Sequence, residues 1–111
     1  MTTYNPGDVI YAWLQYVDYP EGKRRPLLVV LDAGDQDVVV ARITGHPPRD
    51  AYDIRITQLT SAGLPKASTI RLSKIATIPR ATIIKKLGKL SSADRDSVRH
   101  ILQNIANDFN S

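Results

Sequence analysis

One short step constrains this chain more than any other. Lys23-Arg24-Arg25 runs into Pro26 and then into the unbroken apolar stretch Leu27-Leu28-Val29-Val30-Leu31. Pro26 has no amide proton, so it suits the first position of a strand and not its interior. Its ring steers Arg25 toward extended backbone. An apolar run without polar alternation predicts a strand buried on both faces. Such a strand belongs inside a sheet, and here it carries a long cation at its entrance. Chain ends fixed on rigid scaffold are where binding and catalysis concentrate. A solvated charge run that merely introduces the strand fits the same residues.

The flanking segments read mostly as further strands. Val9, Tyr11 and Trp13 alternate with Ile10, Ala12 and Leu14, which predicts a strand largely covered on both faces. Val17 to Gly22 reads as a loop, and Ala33 to Asp37 as a hairpin connection. Val38 to Thr44 is the return strand, nearly all apolar except Arg42. Gly45-His46-Pro47-Pro48 breaks it. Asp53 to Thr57 alternates as a strand with one face in water, and Ser61 to Lys66 is a turn. Ala67 to Leu72 and Lys74 to Ile78 are two short strands, or one strand bent near Ser73. Pro79 to Leu90 leaves helix and strand open, with Thr82-Ile83-Ile84 favouring strand. Ser91 and Asp94 stand at capping-box spacing and open a helix. Val98, Ile101, Leu102, Ile105 and Phe109 share one face of it. Trp13 and Phe109 read as core or dimer interface. The expected fold is mainly β with a C-terminal α-helix, a small curled antiparallel sheet or barrel. It forms a single domain over residues 1–111.

Composition excludes several chemistries. The chain has no cysteine, which removes disulfides and thiolates, and only His46 and His100 offer imidazoles. That argues against a histidine-built zinc site. No apolar run approaches the ~20 residues of a membrane span. The polar start carries no signal peptide, so a cytoplasmic protein is expected. Net charge is +4, and from Ile54 through Ala93 there is no Asp or Glu. That stretch holds Arg55, Lys66, Arg71, Lys74, Arg80, Lys85, Lys86 and Lys89. Folded into adjacent strands, it would make one side positive and suit a polyanion such as nucleic acid, or an acidic protein partner.

Several pieces in order carry a family resemblance. They are Gly7-Asp8-Val9-Ile10, the Arg25-Pro26 step, Thr44 at a strand end, and Gly63-Leu64-Pro65-Lys66-Ala67-Ser68. Ile75-Ala76-Thr77-Ile78 and Lys86-Leu87-Gly88-Lys89-Leu90-Ser91 follow, then a helix. In this order and spacing the chain resembles the MazF/PemK family of toxin endoribonucleases, from about Pro6 to Ile105. The resemblance implies an SH3-like barrel and a homodimer. It implies cleavage of single-stranded RNA without metal or cofactor, leaving a 2′,3′-cyclic phosphate and a 5′-hydroxyl. It also implies a partly disordered antitoxin as partner. The family's catalytic arginine falls on Arg25 and its threonine on Thr44, and an arginine of some members falls on Arg71. The carboxylate that follows that arginine in those members is Ser73 here, which puts its use as a general base in doubt.

The residue types fit such chemistry unequally. Arg25 can grip a phosphorane with a bidentate fork but is no proton acceptor. Thr44 can donate to a phosphate oxygen or orient the 2′-hydroxyl. Glu21 and His46 are both open as the acid or base. Lys23, Arg24, Arg55, Arg71, Ser73 and Lys74 are candidates for holding RNA, with Tyr19 and Tyr16 as base platforms. The competing reading is a non-catalytic SH3-like binding module, or a toxin acting on a protein target such as gyrase.

Overall fold

The computed structural model describes residues 1–16 and 19–110, the side chains of Tyr16, Tyr19 and Pro20 excepted. Strands β1 (Asp8–Tyr16), β2 (Tyr19–Leu31), β3 (Asp37–Thr44) and β4 (Asp53–Arg55) come first. A short helix α1 (Leu59–Ala62), β5 (Thr69–Pro79), a 3-10 turn (Arg80–Thr82) and β6 (Ile83–Lys89) follow, and α2 (Ser92–Asp108) ends the fold. The strands form one six-stranded sheet in the order β4-β5-β3-β2-β1-β6. Every ladder is antiparallel.

The apolar run after Pro26 lies in the middle of this sheet and is covered on both sides. Leu28 packs with Val9, Ala41, Ile43, Ile70 and Leu90, while Leu27 and Val29 pack with Ile10, Ala12, Val38 and Val40. The central strands therefore have two apolar faces, as the missing alternation requires. The run does not stay buried to its end, because Leu31 is half exposed. β5 is one bent strand. Ala41 pairs with Ile75 but Arg42 pairs with Arg71, so Leu72-Ser73-Lys74 have no counterparts on β3. This bulge turns the second half of β5 away from the first.

Several expectations need correction. The sheet is curled but not closed into a barrel, since β4 and β6 stand at its two ends. The gap is bridged by α1, whose C-cap Gly63 has φ +72 and whose approach to β6 leaves no room for a Cβ at Gly63 or Gly88. That helix lies inside a segment expected to be strand and turn, because β4 stops at Arg55. Tyr19 to Gly22 belong to β2 and not to a loop, while Val17 and Asp18 lie outside the described residues. Pro26 therefore stands inside β2 and not at its first position, and the Lys23-Arg24-Arg25 run is paired with β1 instead of leading up to the strand. Trp13 and Phe109 are 40% and 85% exposed, so neither is core. The apolar face of α2 is covered at Val98 and opens progressively toward Phe109.

The acid-free basic stretch does not form one positive side. β5 and β6 are separated by three strands in the sheet order. Some of its cations are matched by carboxylates from elsewhere: Arg71 by Asp53, Arg80 by Asp32 and Lys86 by Asp8. Arg80 is a structural clamp. Its guanidinium binds both Asp32 oxygens and the carbonyls of Thr2 and Asp35, and the Tyr4 amide donates to Asp32. The Arg80 hydrogen bonds and the Tyr4 amide hold the Asp32 carboxyl well below the usual carboxylate range. Because its pKa is depressed, the stabilisation is complete above the ordinary carboxylate range and is lost as pH falls below it.

The capping box is half formed. Ser91 Oγ accepts from the Asp94 amide at 3.2 Å. The Asp94 carboxylate instead accepts from Thr57 N at 3.0 Å, Thr57 Oγ1 at 2.7 Å and Gln58 N at 3.2 Å. One buried acid thus ties α2 to the turn before α1. Asp94→Ala should lower the unfolding free energy by about 2–3 kcal/mol, since it strands buried donors, and urea unfolding measures it. Among the described residues no helix is long and apolar enough to cross a membrane.

Candidate active site

Strand register builds the site. Thr44 pairs with Thr69, and Thr69 pairs with Arg55 on β4. On the other side Arg25 pairs with Ala12. The β2–β3 ladder runs one-for-one to Leu27–Arg42, and continuing that register places Arg25 beside Thr44. One lane across the sheet therefore reads Arg55, Thr69, Thr44, Arg25, Ala12. Directly opposed residues share a face, with Cβ atoms about 5 Å apart. The neighbouring lane reads Asp53, Arg71, Arg42, Leu27, Ile10. Both lanes point to the side of the Leu27–Val40 core cluster.

Arg25 and Thr44 are both half-buried and reach solvent, and Arg42 is exposed. Four guanidinium groups thus share two lanes with one carboxylate, Asp53. The Arg25 side chain makes no hydrogen bond or ion pair with the described residues. Arg71 lies 3.9 Å from Asp53, too far for a hydrogen bond, and Asp53 is held by the Arg49 amide at 3.0 Å. Asp53 Oδ1, Arg55 Nη1, Thr69 Oγ1 and Arg71 Nε are buried without a hydrogen-bond partner. Each such atom costs about 1–3 kcal/mol. Their concentration behind Thr44 marks ground where polar capacity is kept for something other than folding. The excess of cations there attracts an anion with several acceptor oxygens.

Thr44 has a defined local role. Its Oγ1 accepts the backbone N–H of His46 at 3.3 Å, a common local hydroxyl bond. One lone pair is thereby occupied and the hydroxyl hydrogen remains available to donate. The His46 side chain is exposed just past this turn. Glu21 is also exposed; it sits four residues before Arg25 on the same strand side, about 13 Å along β2. Of the two acid/base candidates, His46 lies closer to Thr44.

The remaining candidates divide by face. Lys23 shares the side of Arg25, whereas Arg24 points the other way and sits over the Trp13 ring, 5.8 Å from its centroid. Ser73 is exposed in the β5 bulge and Lys74 next to it. The side chains of Tyr16 and Tyr19 lie outside the described residues. Asp53, Thr69 and Arg42 are the residues sequence reasoning missed as site members. For Arg42 a signal existed: it is the polar exception in β3, and period-two alternation puts it on the side of Thr44. For Asp53 and Thr69 none did, because only register brings them there.

Comparison with known proteins follows from this geometry. Residues 5–106 match the family described as the PemK-like, MazF-like toxin of type II toxin-antitoxin system. A protein of Mycolicibacterium smegmatis named probable endoribonuclease MazF is 30% identical over 77 residues, which is 66% of this chain and 71% of that protein. The fold is similar to that of Mycobacterium tuberculosis toxin MazF-mt6, with TM-score 0.69, 20% identity and coverage of 88% and 96% of the two chains. It is also similar to a MazE-MazF structure from Deinococcus radiodurans, with TM-score 0.73, 13% identity and coverage of 96% and 98%. An endoribonuclease in complex with its cognate antitoxin, from a mycobacterial species, gives TM-score 0.70 at 18% identity over 86% and 87%.

Proposed function

The chain belongs to the family of PemK-like, MazF-like toxins of type II toxin–antitoxin systems, and from that premise we propose that it is a sequence-selective endoribonuclease. It cuts single-stranded RNA without a metal and leaves 2′,3′-cyclic phosphate and 5′-hydroxyl ends. It works in the cytoplasm as a homodimer, and a cognate antitoxin silences it. The observation that carries this reading is Arg25, whose guanidinium has no partner among the described residues and reaches solvent beside Thr44.

The residues divide the work as follows. Arg25 grips two oxygens of the scissile phosphate with its fork and stabilises the charge that builds on the phosphorane. Thr44, already accepting from His46 N, donates its hydroxyl hydrogen to a phosphate oxygen. The 2′-oxygen attacks phosphorus as its proton leaves, and the bond to the 5′-oxygen breaks as that oxygen gains a proton from solvent water. His46 takes the first proton, because it stands two residues beyond Thr44, with its amide bonded to the Thr44 hydroxyl oxygen. Arg42, Arg55, Arg71, Lys23 and Lys74 hold the flanking phosphates. Arg24 serves at the rim from the other side of the strand.

The competing reading, a module that binds RNA or a protein such as gyrase without cutting, draws on Ser73 standing where some members carry a carboxylate. Asp53 lies beside Arg71 from a different strand, and it supports the first reading by tethering that arginine. Asp53→Asn should slow cleavage about 10- to 100-fold by letting Arg71 drift, with Asp53→Glu recovering part of the rate. Single-turnover cleavage of a labelled oligonucleotide measures both.

The direct test is an end-group assay on antitoxin-free protein. Cyclic phosphate on the upstream fragment, absent with Arg25→Ala, supports the nuclease. Intact RNA with both proteins removes it. Binding of single-stranded RNA should weaken with salt at a log–log slope of about −2 to −3.5, the value for three to five phosphate contacts. A flat salt titration speaks against the cationic lanes as the RNA face.

A further inference from the structure

Trp13 is the only tryptophan of the chain, and it stands on the surface of the sheet and not in a core cluster. It is packed on the hairpin of β1 and β2. Arg24 is its directly opposed neighbour on β2, with the guanidinium over the indole. Gly22, two residues earlier, lies against the same ring. A Cβ there would stand 2.4 Å from the indole Nε1 and 2.6 Å from Cζ2, so the ring rests on bare backbone. Gly22 also has φ +88, a conformation that glycine adopts readily. Between the pairs Leu14–Lys23 and Tyr16–Tyr19, β1 has one residue and β2 has three. Such an excess bends the longer strand and re-aims its side chains. The bend includes Gly22, and the indole is packed against it.

We propose that Trp13 is a positioning residue: by clasping Gly22 and Arg24 on one side of the hairpin, it fixes Lys23 on the other side for the phosphate that flanks the cut. The proposal rests on the endoribonuclease reading. Arg25 does not need the clasp. Its own pair is Ala12, and the next pairs, Tyr11–Pro26 and Ile10–Leu27, lead into the core. Lys23 stands instead at the last pair before the bulge, so its backbone direction depends on how the bend is held. Strand alternation puts it on the side of Arg25, about 7 Å along β2. A lysine on a loosely held bend has to be ordered when RNA binds, and one already held does not. The indole supplies that hold through two contacts, with the glycine backbone below it and a cation on its face. A tryptophan serving stability alone would alter the folded fraction, and with it the apparent kcat at unchanged KM. One that prepositions a binding group alters KM at unchanged kcat.

The experiment measures kcat and KM on a labelled single-stranded oligonucleotide, with a thermal melt of each variant. Trp13→Ala should raise KM about 3- to 10-fold, the ordering cost of one long side chain, and leave kcat unchanged. Trp13→Phe keeps a ring on Gly22 and should recover most of the loss. Lys23→Ala should raise KM less in the Trp13→Ala background than in wild type, because the two residues act through one contact. Gly22→Ala displaces the indole by a second route. The emission of the sole tryptophan should then shift to the red, and KM should rise as in Trp13→Ala. Should Trp13→Ala or Gly22→Ala fail to fold, the other decides. If wild type makes no Arg25-dependent cyclic-phosphate ends, the endoribonuclease reading fails and takes this proposal with it. If wild type cuts and folded Trp13→Ala keeps its KM, or loses kcat alone, this proposal alone is overturned. Equal effects of Lys23→Ala in the two backgrounds, or a red shift in Gly22→Ala at unchanged KM, overturn it as well.

Discussion

Arg25→Ala should slow cleavage at every sequence by about 10²–10³-fold or more while leaving the melting temperature within a few degrees of wild type. The two halves of that result have one cause. The Arg25 side chain makes no bond to the described residues, so truncation removes no partner among them, and surface changes of this kind stay within about 0.5 kcal/mol. In the reaction the guanidinium faces charge that develops only in the transition state. Removing one such donor costs about 10²–10³ in rate. Loss of the planar fork adds to this, so Arg25→Lys should recover charge without recovering geometry and remain far below wild type. Single-turnover rates on a labelled oligonucleotide, paired with a melt of each variant, measure the effect. A rate for Arg25→Ala within tenfold of wild type removes Arg25 from the chemistry.

The largest expected effect on stability lies far from that face, at the seam between α1 and β6. A Cβ on Gly63 would stand 2.1 Å from the Leu87 carbonyl oxygen, and one on Gly88 2.3 Å from that of Ser61. These are backbone atoms, which cannot rotate away. Gly63 also sits at φ +72, where an L side chain costs about 1–2 kcal/mol. Adding the overpacking cost of about 1–3 kcal/mol, Gly63→Ala should destabilise by about 2–5 kcal/mol. For a domain of this size that lowers the midpoint by about 8–20 °C. Gly88→Ala carries the steric part and should follow closely. A melt of either variant within about 5 °C of wild type would show that the two segments do not hold the seam this tightly.

Much of the fold is legible from neighbours in the chain. Pro26 and the apolar run after it announce a central strand, and Ser91 announces the start of α2. The extra residues near Ser73 show as two short strand-like runs, and the structure joins them into one bent strand. The segment after Pro79 resolves toward β6, as the β-branched Thr82-Ile83-Ile84 suggest. The errors share another origin. α1 has no side-chain cap at its start, so it leaves no local mark. Asp94 looks like a capping residue because its spacing is right, yet its carboxylate is claimed by Thr57 and Gln58, which sequence distance hides.

The candidate site divides along the same line. Thr44 and His46 stand out because they lie at a strand end and in a Pro-broken loop, and Arg25 because it precedes the proline that leads the apolar run, although that step lies inside β2. Arg42 could have been found by alternation from Thr44. The sequence by itself determined the central strands around Val9–Leu14, Leu27–Leu31 and Val38–Thr44, which side of its own strand each of their residues takes, and where α2 begins. Those properties depend on local backbone sterics and on the periods of the two regular structures. Only the tertiary structure decided that Thr69, Arg55 and Asp53 stand behind Thr44, that Arg80 and Lys86 are absorbed by Asp32 and Asp8, and that Gly63 meets Gly88 across an unclosed sheet. Register between distant strands is chosen by the packing of the whole core, and a slip of one residue would send every one of these side chains to the opposite face.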